Sequence, residues 1–106
     1  MTAGCRFGFV ALGQSFADYE IDRLAQGFDV VLERNWPPLT EVDTHVHAFA
    51  AQVLVVQGEM WLTVGTDTRR LPAGSTFELD SQVPHAERYG SKGAMVWVAR
   101  RSDQSV

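Results

Sequence analysis

The sequence predicts an all-β domain, a sandwich or barrel of antiparallel strands with one short helix near its N-terminus. Short apolar segments with the alternation of strands recur at intervals of roughly 8 to 12 residues, with turn residues between them. The crossover helices that a parallel α/β sheet requires are missing from the pattern. The length of 106 residues fits a single domain over 1–106.

The helix is predicted at about residues 15–26. Ser15 can cap its first turn, acidic residues follow early in the segment, and Gly27 is suited to end it. Phe16 and Tyr19 can share one apolar face of this helix. We expect that face to pack against the sheet or against a neighbouring subunit.

The barrel is predicted over about residues 28–101. Its strands are expected at 28–36, 41–47, 52–57, 60–64, 69–71, 76–79, 85–89 and 94–101. The first of them ends at Pro37-Pro38, because neither proline donates a ladder hydrogen bond. The segments at Gly58, at 65–68 and at 90–93 are interpreted as turns between strands.

Composition and charge exclude several classes of partner. The formal net charge of −4 argues against a nucleic-acid partner, and the arginine pairs at 69–70 and 100–101 are interpreted as solvated surface. No apolar run approaches the roughly 18 residues of a membrane helix, so no membrane partner is expected. No signal peptide is visible and Cys5 has no second cysteine to pair with, so we expect a cytoplasmic protein.

The three histidines of the chain predict one metal site. His45 and His47 are one residue apart in a strand-like segment, so both side chains point to the same side. His85 lies in a second strand-like segment. Three neutral imidazoles can bind Fe(II), Zn(II), Ni(II), Mn(II) or Cu(II) and leave other positions for water and substrate. Hydrogen-bonded histidines without a metal are the alternative.

These residues resemble the two motifs of the cupin superfamily, over about residues 36–100. The first motif has the form G-x5-H-x-H-x(3,4)-E-x6-G and the second G-x5-P-x-G-x2-H-x3-N. The matching positions are His45, His47 and Gly58 in the first motif, and Gly74, Pro84 and His85 in the second. The resemblance implies a cupin-like jelly-roll β-barrel that holds a divalent transition metal and takes a small-molecule ligand.

The glutamate of the first motif is absent. Counting forward from His47 places Gln52 at its position, and counting back from Gly58 places Ala51 there. In the first register Gln52 is a metal ligand through its carbonyl oxygen, and in the second it faces away from the barrel interior. A metal without a carboxylate ligand keeps more positive charge, so we expect it to bind anionic ligands more readily.

Glu87 is the candidate catalytic residue, because it shares the strand alternation of His85 and is predicted to face the same cavity. It is a candidate proton acceptor, an orienting partner for an imidazole, or a metal ligand; an exposed strand glutamate is the alternative. Glu41 and Asp43 share the alternation of His45, and the same alternatives apply to them. The predicted apolar cavity residues are Val53, Val55, Met60, Leu62 and Phe77, with Phe49 as a wall of the pocket.

The resemblance implies a metal-dependent enzyme that acts on a small organic molecule, with oxygen-dependent, dioxygenase-like cleavage first and isomerase or lyase chemistry next. The alternatives are a small-molecule binding or sensing module without catalysis and an inert barrel. Open jelly rolls leave sheet edges and an apolar outer face that need cover. We therefore expect a homodimer.

Overall fold

A computed structural model of the chain describes residues 4–102 as seven strands and one helix, which confirms the predicted all-β class. Every strand pairing in this region is antiparallel. In chain order the elements are β1 (Cys5–Phe9), α1 (Phe16–Ala25), β2 (Val30–Trp36), β3 (Glu41–His45), β4 (Phe49–Val64), β5 (Asp67–Pro72), β6 (Ser75–Leu79) and β7 (His85–Ser102).

Two long strands, β4 and β7, form the centre of the sheet. The strand order is β1-β6-β4-β7-β2, while β3 also pairs with β7 and β5 also pairs with β4. The pairing of β4 with β7 runs from Phe49 opposite Ser102 to Thr63 opposite Ala86. Since β3 pairs with the first part of β7, the sheet brings His45 at the end of β3 next to His85 at the start of β7.

Both long strands were predicted as two separate strands, and that prediction was wrong. Gly58 and Gly93 adopt positive φ angles of 75° and 69°, and the ladder shifts register on either side of Gly58. A Cβ atom at Gly58 would collide with the Gly93 carbonyl oxygen. The glycines therefore bend the paired strands through a bulge where the sequence suggested turns.

Strand β1 was not predicted. It pairs with β6, from Cys5 opposite Leu79 to Phe9 opposite Ser75. With five residues, among them Arg6 and Gly8, it shows no apolar alternation that single-sequence reasoning can detect. Cys5 is buried, and burial raises the pKa of its thiol, so it stays protonated and inert.

Helix α1 lies where it was predicted. The Ser15 hydroxyl accepts a hydrogen bond from the Asp18 amide at 3.1 Å, which satisfies one of the free N–H groups of the first turn. Tyr19 is fully buried and its ring lies 5.2 Å from that of Trp97 on β7. The helix thus covers the outer face of the sheet, around Leu54 and Trp97.

The opposite face of the sheet encloses the main core. Val55, Met60 and Leu62 are fully buried there and belong to one cluster with Phe77, Leu79, Tyr89 and Val96. Burying each large apolar side chain contributes about 1.5 to 3 kcal/mol to the free energy of unfolding. This packing holds the strands around a cavity that the three histidines line.

Candidate metal centre

The three histidines converge on one point of the barrel interior. His45 ends β3 and is paired with His85 at the start of β7, while His47 lies two residues beyond β3 in the connection to β4. The Nε2 atoms of His45 and His47 are 3.2 Å apart. One ligand atom from each of the three lies within 4.8 Å of the others, which is the spread that a single bound ion needs.

Backbone carbonyls orient two of the rings. The Nδ1–H group of His45 donates to the Asp43 carbonyl oxygen at 2.7 Å, and that of His85 donates to the Val83 carbonyl oxygen at 2.9 Å. With Nδ1 used in this way, each Nε2 carries the free lone pair. Such bonds from the second ring nitrogen fix the tautomer and raise the basicity of a metal ligand.

His47 is held by a ring contact and is kept neutral. Its ring stacks on Phe49, with centroids 4.6 Å apart and an angle of 17° between the planes. The pKa of His47 is lowered from 6.5 to about 4. Burial is the main cause, and electrostatic repulsion from His85, His45 and Arg100 adds to it. At neutral pH its imidazole is therefore free of the proton that would block metal binding.

Glu87 faces the same cavity, as its alternation with His85 predicted. One carboxylate oxygen lies 3.6 Å from His45 Nε2, and the other accepts a hydrogen bond from the Tyr89 hydroxyl at 2.8 Å. Tyr89 is 1% exposed and stacks on Trp36 with centroids 4.7 Å apart. Burial and then the Glu87 charge raise the pKa of Tyr89, so it remains a hydrogen-bond donor.

Glu41 and Asp43 are not brought to this cavity. Both residues are exposed, and Val42 between them lines the interior. The pairing of β3 with β7 shifts register between Val42 and His45. This bulge changes which alternate residues face inward, so the alternation that linked both acids to His45 fails here.

The cavity has a volume of about 130 Å³ and is mostly apolar. Of the five predicted apolar residues only Val53 and Phe77 line it; Val55, Met60 and Leu62 belong to the closed core instead. Phe49 is part of the wall, as expected. The sequence interpretation missed the charged side chains on the lining, which are those of Arg34, Asp80 and Arg100. Arg100 could have been found, because it continues the inward alternation of Val96 and Val98.

Comparison with known proteins identifies the architecture. No protein-family model matches the chain, and no curated protein matches it in sequence. Among solved structures, KdgF from Halomonas sp. shares 16% identity over 96% of this chain and 82% of its own, with a TM-score of 0.65. An RmlC-like cupin from Shewanella frigidimarina shares 20% identity over 71% of this chain and 68% of its own, with a TM-score of 0.61. This chain has the cupin fold.

A larger enzyme contains the same fold. The salicylate 1,2-dioxygenase from Pseudaminobacter salicylatoxidans shares 17% identity and a TM-score of 0.59 over 66% of this chain. The match spans 20% of the dioxygenase chain, so this chain corresponds to a fraction of that protein. Within residues 4–102 of this chain, no helix has the length and hydropathy needed to cross a membrane.

The cupin fold also decides the position of Gln52, and the expectation that it ligates the metal is corrected. Its amide donates to a Glu78 carboxylate oxygen at 2.8 Å, on the face of β4 that is turned away from the histidines. Ala51 and Val53 line the cavity in its place. The register counted back from Gly58 is therefore the one that the sheet adopts, and the barrel interior receives a methyl group where the motif has its glutamate.

Proposed function

We propose that this protein is a metal-dependent cupin that acts on a small organic molecule. The observation that carries the proposal is the convergence of His45, His47 and His85, whose ligand atoms lie within 4.8 Å of one another. Two of these rings are oriented by backbone carbonyls and the third is neutral at physiological pH. A set of three neutral imidazoles fits Fe(II), Zn(II), Ni(II), Mn(II) or Cu(II).

When bound, such an ion supplies Lewis acidity and open coordination positions for a substrate. The residues around it have separate tasks. Glu87 accepts a proton from the bound molecule, and Tyr89 holds one of its carboxylate oxygens so that the other is turned toward the histidines. Phe49, Val53 and Phe77 exclude water from the cavity and select a ligand with an apolar part.

Oxygen-dependent cleavage is the reaction type that we put first. Its support is the likeness of fold to a salicylate 1,2-dioxygenase, together with a histidine set that suits redox-active ions as well as zinc. Isomerase and lyase chemistry would use the same polarised ligand and the same proton acceptor. A binding module without turnover would use the metal and the cavity but not the acid–base function of Glu87.

Metal content is the first test. Tag-free protein purified without chelators should contain about one transition-metal ion per chain, and a His45→Ala/His85→Ala variant should lose it, because two of three protein donors are gone. Gln52→Ala is the matched control and should keep the metal, since this side chain bonds to Glu78 on the other face. Unchanged metal content in the double histidine variant would refute the assignment.

Turnover is the second test. Oxygen uptake and substrate depletion are measured for a panel of diketones, catechols and hydroxy acids with the metal-loaded protein. Glu87→Gln should lower turnover by about 10² to 10⁴ with the metal retained, because it removes the proton acceptor but preserves size. The control is Glu41→Gln, which changes an exposed glutamate on β3. Binding without turnover under every metal would instead support the binding module.

A further inference from the structure

Arg100 lines the same cavity as the candidate metal centre, and the proposed function does not use it. It lies on β7 directly opposite Ala51 of β4, so the two side chains share the inner face of the sheet. Its guanidinium lies 4.6 Å from the centroid of the Phe49 ring, and Phe49 in turn stacks on His47. The small Ala51 side chain leaves open space next to the guanidinium.

No side chain of residues 4–102 neutralises this arginine. None of the ion pairs in that part of the chain includes Arg100, and its Nε–H group is buried without a hydrogen-bond acceptor. Both carboxylates on the cavity wall have other partners: Asp80 pairs with Arg6 at 3.2 Å, and Glu87 accepts a hydrogen bond from the Tyr89 hydroxyl. A half-buried guanidinium with unfilled donors is a site for an anion from outside the chain.

The neighbouring Arg101 shows the contrast. Its side chain points to the opposite face of β7, is exposed, donates to the Gln26 carbonyl oxygen at 3.2 Å and lies over the Phe28 ring. Arg101 is thus satisfied by the chain itself. The two consecutive arginines therefore differ in whether the chain itself supplies a hydrogen-bond acceptor for the guanidinium.

The size of the cavity limits the anion. At about 130 Å³ it is slightly smaller than the cavity of about 150 Å³ that holds a benzene molecule in another protein. A ligand of about six non-hydrogen atoms fits such a space. A planar carboxylate matches the fork of a guanidinium through two parallel hydrogen bonds.

We propose that Arg100 is the carboxylate-binding residue of this cavity and that the ligand is a small 2-hydroxy or 2-oxo carboxylic acid. Its carboxylate lies on the Arg100 guanidinium, and its second oxygen group faces the three histidines. The inference rests on the metal centre proposed above, because that centre receives the second oxygen group. With a divalent ion, one guanidinium and the Glu87 carboxylate, the site carries net positive charge that an anionic ligand offsets.

The test compares glycolate with glycolamide, which have nearly the same shape and differ in charge. Isothermal titration of the Co(II)-loaded protein should show glycolate binding about 10 to 100 times more tightly than glycolamide, as expected for a charge-assisted bidentate contact. Arg100→Gln should abolish this preference and leave both metal content and glycolamide affinity unchanged. Arg101→Gln, the matched control on the same strand, should bind both molecules as the parent protein does.

A second variant tests the position independently of the loss of the arginine. Ala51→Leu fills the space opposite Arg100 without adding a carboxylate, which at this motif position would reach the metal itself, and it should lower the affinity for glycolate. Equal preference for glycolate in the parent protein and Arg100→Gln, with unchanged glycolate affinity in Ala51→Leu, would overturn the inference even if the metal binds normally.

The metal-free protein separates this inference from the proposed function. Glycolate, but not glycolamide, should shift the NMR resonance of the Arg100 Nε–H group in that protein. If no metal binds but this shift is seen, the metal centre fails and the role of Arg100 stands. If the metal binds and neither titration distinguishes the two molecules, the role of Arg100 fails and the metal centre stands.

Discussion

Acidification of the metal-free protein should destabilise it through His47, because the pKa of this histidine is lower in the folded than in the unfolded chain. Burial, and then its neighbours His85, His45 and Arg100, lower the pKa of His47 to about 4 in the folded chain, against 6.5 in the unfolded reference. Between these two values the unfolded chain binds the proton and the folded chain does not. The free energy of unfolding should therefore fall as the pH falls from 6.5 to about 4, and level off below.

The size of the effect follows from the two pKa values. Their separation corresponds to at most about 3 kcal/mol of the free energy of unfolding. The His47 ring is only partly buried, so screening by solvent reduces the expected loss to about 1 to 2 kcal/mol. Glu78 acts at lower pH: the Gln52 amide and Arg6 lower its pKa below 4.5, so its stabilisation is lost only as the pH falls below that value.

Urea denaturation of metal-free protein, followed by tryptophan fluorescence in steps of half a pH unit from 8 to 4.5, measures this dependence. His47→Gln places a neutral side chain at the position and should flatten the curve between pH 6.5 and 4.5. With a bound metal the curve should become steeper in the parent protein, because protons then compete with the ion for the imidazoles. Equal slopes in the metal-free parent and the His47→Gln variant would show that burial of this histidine does not set the acid stability.

Three further predictions concern the fold and the assembly. Tyr89→Phe should lower the free energy of unfolding by about 1.5 to 3 kcal/mol in urea titrations and leave metal content unchanged. The variant loses the hydrogen bond to Glu87 but keeps the stacking on Trp36, and an unchanged urea midpoint would contradict this. Gly58→Ala should lower the free energy of unfolding by at least about 3 kcal/mol or prevent folding, since its methyl group would meet a backbone carbonyl. Gly65→Ala, where a methyl group has open space, should lower it by about 1 kcal/mol, and equal losses would refute the bulge as the cause. The chain should form a homodimer through exposed apolar residues of α1 and the start of β2; a mass near 11.8 kDa in light scattering up to millimolar concentration would exclude it.

The sequence alone determined the features that depend on local pattern. The cap at Ser15 and the glycine after the helix placed α1, and period-two alternation placed most of the barrel strands. The spacing of His45 and His47 predicted both rings on one side, and both line the cavity although His47 lies beyond the end of β3. The alternation of His85 with Glu87 put that carboxylate in the cavity. Each of these inferences needs only neighbours within a few residues.

Features that depend on register or on distant pairing were decided by the tertiary structure. A register count from either end of the first motif was equally consistent with the sequence, and only the pairing of β4 with its neighbours turned Gln52 outward and Ala51 inward. The β3 bulge that excludes Asp43 is likewise invisible in the sequence, because a one-residue shift leaves no local signal. The inward direction of Arg100 follows from its alternation with Val98, but its position opposite Ala51 does not: the two residues are 49 positions apart, and only the folded sheet brings them face to face.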